Sequence, residues 1–64
     1  MKMKAFTIKC LMADKDLNTV ELAKATGVSR NTISSIINGK TCSLSTAAKM
    51  AKALNVSLAE IAEE

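Results

Sequence analysis

Apolar and polar positions along the chain repeat one short device. An apolar residue is followed by Ser, Thr or Asn, then by helix-forming residues, with a second apolar residue five places after the first. That spacing is the hydrophobic staple around a helix N-cap, in which the small polar side chain accepts a bond from an otherwise unpaired amide. Leu17, Asn18 and Leu22 follow it, and Glu21 completes a capping box because its carboxylate reaches back to the Asn18 amide. Val28, Ser29 and Ile33 repeat it, as do Val56, Ser57 and Ile61, with Glu60 as box partner. Cys42, Ser43 and Ala47 form a fainter copy, and Phe6, Thr7 and Leu11 a fifth candidate. Stops are marked by Gly27, Gly39 and Asn55, residue types that accept the left-handed backbone after a helix. The pattern predicts five helices near residues 4–15, 19–26, 30–38, 44–54 and 58–63, an all-α chain without proline to break them.

The first helix has two stripes. Ala5, Ile8, Leu11 and Met12 share one face, while Phe6, Cys10 and Ala13 project from the other. Either Phe6 precedes the helix as a staple, or the second stripe is a contact surface for a partner.

Residues 19–38 read TVELAKATGVSRNTISSIIN, with Ala23, Gly27, Val28, Ile33 and Ile36 spaced for two helices crossing through a tight turn. Ala23 permits close approach and Gly27 supplies the left-handed residue, while Leu22, Val28, Ile33 and Ile36 fill the angle. Ile33, Ile36 and Ile37 fall on one side of the second helix of this pair; Arg30, Asn31, Ser34, Ser35 and Asn38 line the other. An ordinary solvated face favours Lys and Glu. This one carries side chains that hydrogen-bond base edges and no carboxylate to repel phosphate.

Charge sharpens that reading. The net charge is +3, but the acids are Asp14, Asp16, Glu21, Glu60, Glu63 and Glu64, so residues 22–59 hold Lys24, Arg30, Lys40, Lys49 and Lys52 unopposed. Such a stretch suits a polyanion held against the middle of the chain. Sixty-four residues make one small domain, 1–64, whose core alone supplies only a few kcal/mol. Two cysteines and no histidine offer neither a disulfide framework nor a metal cluster, so no metal or cofactor is expected, and a second copy is a reasonable support. Cys10 and Cys42 are expected as free thiols packing as small apolar residues. No apolar run reaches the length of a signal peptide or membrane span, so a cytoplasmic protein without membrane contact is expected. No serine has a histidine base and no glycine-rich loop precedes a helix, so no enzymatic chemistry is expected.

The stretches LNTVELAKATGVSRNTISSIINGK and LSTAAKMAKALNVSLAEI resemble the Cro/cI-type helix-turn-helix family of phage repressors and their bacterial relatives, over roughly residues 8–61. The resemblance implies a five-helix, lambda-repressor-like domain whose third helix enters the major groove of double-stranded DNA, commonly as a homodimer on two half-sites. Arg30, Asn31 and Ser35 stand where the family contacts bases, with Ser34 beside them. Thr19, Ser29, Asn38, Lys40 and Thr41 match its phosphate contacts. Leu58 and Ile61, on the last helix, are candidates for a dimer surface or for closing the core. Glu63 and Glu64, at a helix end where negative charge is unfavourable, are expected to fray.

There are departures. Thr19 is shorter than the glutamine the family often carries, and Cys42 replaces a frequent proline. Met12 and Ile37 replace an arginine and glutamate that form an ion pair in relatives; the two are expected to touch, since exchanging both charges for packing hydrocarbons can be neutral or stabilising. The function implied is a repressor acting on a near-palindromic operator. The alternatives are an antitoxin-type regulator that also binds a protein partner, or a protein-interaction module of the same fold.

Overall fold

A computed structural model describes residues 1–63 as five helices: α1 (Ala5–Asp14), α2 (Thr19–Thr26), α3 (Arg30–Ile37), α4 (Leu44–Leu54) and α5 (Leu58–Ile61). Each boundary falls within two residues of its expected place, and at the starts of α2, α3 and α4 the signals that set it are local. The Asn18 side chain accepts from the Glu21 amide at 2.8 Å while the Glu21 carboxylate accepts from the Asn18 amide at 3.0 Å. Ser29 and Ser43 cap α3 and α4, each accepting from an amide three residues on, at 3.2 Å. Gly27, Gly39 and Asn55 all take positive φ, at 73°, 97° and 59°.

Four expectations need correction. Phe6 is no staple: α1 begins at Ala5, and Phe6, its second residue, is 78% exposed. Cys10 is exposed as well, so it does not pack as an apolar filler, whereas Cys42 is partly buried; both are free thiols. Ser57 makes no side-chain cap, because α5 is a single turn whose Glu60 amide bonds the Ser57 carbonyl at 3.0 Å, leaving no capping box. Glu63 is not frayed, since its amide donates to the Lys2 carbonyl at 2.9 Å; Glu64 lies outside the described residues.

That last bond belongs to a strap the local pattern does not announce. Residues 1–4 run extended between the α3–α4 connection and the C-terminal segment. Met1 exchanges two bonds with Cys42, Met3 bridges antiparallel to Ala62, and the Lys4 amide donates to the Ile61 carbonyl at 2.7 Å. Met3 is thereby buried at 2% exposure. The start of α1 is held by this pairing rather than by a polar cap, and its end by Asp16, which adopts φ 56° and lets the Leu17 amide return to the Met12 carbonyl at 2.8 Å.

The core joins Met3 to Ile8 and Met12 of α1, Leu22 of α2, Ile33 and Ile36 of α3, Ala47, Met50, Ala51 and Leu54 of α4, and Ile61 of α5. No polar or charged residue is buried among the described residues. Met12 is 7% exposed and Ile37 packs half-buried against the same cluster. No described helix is long and apolar enough to cross a membrane.

Candidate nucleic-acid interface

The corner between α2 and α3 fixes the surface that faces outward. Gly27 turns the chain, its amide bonding the Ala23 carbonyl at 2.9 Å. The Thr26 hydroxyl then stitches the turn from both sides, donating to the Leu22 carbonyl at 2.8 Å and accepting from the Val28 amide at 3.2 Å. Leu22, Ile33 and Ile36 are fully enclosed beneath, so close packing sets which face of α3 turns inward. Its far side is therefore presented as a fixed array: Arg30, Asn31, Ser34 and Ser35 are all exposed.

Thr19, Arg30, Asn31 and Ser34 are brought together, with Asn18 and Val20, around one open concavity of about 540 Å³ between the first turns of α2 and α3. Ser35 lies outside that lining but on the same helix. Ser29 is exposed, and its hydroxyl is engaged by the Thr32 amide at 3.2 Å and the Thr32 hydroxyl at 2.8 Å. Its cap leaves the α3 N-terminus pointing at solvent, an end that favours anions. Asn38, Lys40 and Thr41 sit exposed in the connection after α3, held in shape by the Lys40 amide bonding the Ser35 carbonyl at 3.0 Å.

Cys42, next in that connection, is anchored to the strap by the Met1 ammonium bonding its carbonyl at 2.8 Å. Burial pushes the Cys42 thiol above its ordinary value, the nearby ammonium opposing, so the group stays a neutral packing thiol. The connection bearing Lys40 and Thr41 is thus tied down at its far end. Of the two dimer candidates, Ile61 is fully enclosed and has no area to offer a partner, while Leu58 is half-buried. Val20 and the Thr26 hydroxyl were not singled out by sequence reasoning. For Val20 the signal was an apolar residue two places after a cap, outside the staple positions.

No group of three His, Cys, Asp or Glu able to hold a metal forms among the described residues. What the surface offers is the Arg30 guanidinium, the Asn31 carboxamide and hydroxyls beside the first turns of two helices, the means to bind phosphate and to read base edges. No curated protein and no solved structure matches the chain. A family model, the Cro/C1-type HTH DNA-binding domain, matches residues 7–63, nearly the whole sequence and all five helices apart from the first two residues of α1. The chain belongs to the Cro/C1-type helix-turn-helix DNA-binding family.

Proposed function

We propose that the chain is a sequence-specific transcriptional repressor that binds a near-palindromic operator as a homodimer, with α3 of each copy in the major groove. The observation that carries this is the concavity in which Arg30, Asn31 and Ser34 of α3 meet Thr19 of α2. An Arg binds guanine through two acceptors and an Asn pairs with adenine, while Thr19, Ser29, Asn38, Lys40 and Thr41 set register on the phosphates. Ser35, about one helical turn after Asn31, reads the adjoining base pair directly or through water. Dimer formation follows mass action, so operator occupancy rises with the protein's own concentration.

Selection from a random duplex pool, followed by titration at two salt concentrations with wild type and Arg30→Ala, tests the reading. Enrichment of a near-palindrome, steep weakening by salt and relaxed preference at one base pair per half-site in the variant are expected. A pool that stays random, with Arg30→Ala indistinguishable from wild type, sinks it and leaves a protein-interaction module.

One observation favours a second reading, a regulator that also binds a protein partner: Phe6 is 78% exposed and is absent from the lining of the concavity. Sedimentation of Leu58→Ser and Phe6→Ser separates the two. Loss of the dimer in Leu58→Ser alone assigns self-association to α5 and leaves Phe6 for another protein; loss in Phe6→Ser assigns the α1 stripe to the second copy.

A further inference from the structure

We infer that Val20 is a specificity residue that contacts the 5-methyl group of a thymine in each half-site. The inference rests on the repressor reading above and adds a base-reading position on α2, outside the recognition helix. Val20 is 41% exposed, a large share for a branched hydrocarbon side chain on a helix, and it takes no part in the core or in the half-buried layer packed on it. Of the three large apolar residues exposed among the described residues, Phe6 and Leu44 lie elsewhere and Val20 lines the concavity with Arg30, Asn31 and Ser34.

Its position is rigid for two reasons. The first turn of α2 is locked by the reciprocal Asn18–Glu21 bonds at 2.8 and 3.0 Å. A β-branched side chain in a helix also holds one preferred rotamer, so its methyl groups form a fixed wall rather than a mobile arm. The concavity therefore has polar walls of Arg, Asn and Ser and one apolar wall. Base edges in the major groove display donors and acceptors at every pair, and a single apolar group, the thymine methyl. The polar walls suit the former and Val20 the latter.

The test uses the full chain and the site obtained by selection. Each thymine is replaced in turn by deoxyuridine, which deletes only the methyl group, and wild type and Val20→Ala are titrated against every duplex. In wild type, one substitution per half-site is expected to weaken binding about four-fold, the factor one buried methyl group carries. In Val20→Ala, whose folding is checked by circular dichroism, that same substitution is expected to have no effect. A selected site that depends on Arg30 but shows equal thymine-to-uracil ratios in wild type and Val20→Ala overturns the inference alone, Val20 then facing sugar or solvent. Failure of wild type to select any site overturns the repressor reading and this inference with it.

Discussion

Helices α1 and α3 pack against each other, and each gives the core two large apolar side chains, Ile8 and Met12 from one, Ile33 and Ile36 from the other. Their inner faces are the same kind of object. Their outer faces are not: α1 shows solvent Phe6, Lys9, Cys10 and Ala13, whereas α3 shows Arg30, Asn31, Ser34 and Ser35. Folding constrains only the buried side, so once that side is subtracted, what remains on each helix reports the surroundings it meets. A mixed face with an exposed phenyl ring suits another protein surface; an acid-free face of short hydrogen-bonding groups suits DNA.

The parity of the inner faces is broken or upheld by truncation. Ile8→Ala and Ile36→Ala are each expected to cost about 2–5 kcal/mol, enough to unfold much of a domain this small, as read by urea denaturation. A large loss in one and a small loss in the other would show that the two helices do not share the core equally. The contrast of the outer faces is next. Arg30→Ala is expected to lose about 1–3 kcal/mol of discrimination at one base pair while changing stability by less than about 0.5 kcal/mol. Phe6→Ser, also at an exposed place, is expected to leave both base preference and monomer stability unchanged.

Smaller effects sharpen the comparison at the helix starts. Asn18→Ala removes a formed capping box and is expected to cost about 1 kcal/mol, whereas Ser57→Ala removes no side-chain bond and is expected to cost almost nothing by the same denaturation measurement. The smallest effect concerns the thiols. Because burial raises the Cys42 group, its neutral form is the one the fold favours; this stabilisation is present at neutral pH and lost as pH rises through the raised value in the alkaline range. An alkylating reagent at mildly alkaline pH is accordingly expected to label exposed Cys10 ahead of Cys42, as mass spectrometry of partly modified protein would record.

Much of this was legible in the sequence because caps, staples and left-handed stops act over five residues or fewer. Asn18 with Glu21, Ser29, Ser43, Gly27, Gly39 and Asn55 do what their residue types predict. The outward array of α3 was legible for the same reason, being the complement of the Ile33 and Ile36 positions. What was hidden depends on distant partners. Met3 shows no role until Ala62 pairs with it, and Ile61, left between a dimer surface and the core by its sequence, is enclosed once α5 packs. Val20 was hidden otherwise, since its importance comes from lying across the turn from Arg30, a neighbourhood that linear spacing does not display.

The strap of residues 1–4 carries a consequence for the order in which the chain assembles. Contacts between successive helices close short segments and form early, whereas the pairing of Met3 with Ala62 encloses nearly the entire polypeptide. The entropy of joining such distant points grows slowly, by about 0.6 kcal/mol for each doubling of the enclosed length, and is met when α1 and α5 come into contact. The strap is therefore expected to dock after the helices have assembled. Hydrogen exchange at the Lys4 and Glu63 amides consequently times that final docking, separately from the protection of amides within α2 and α3.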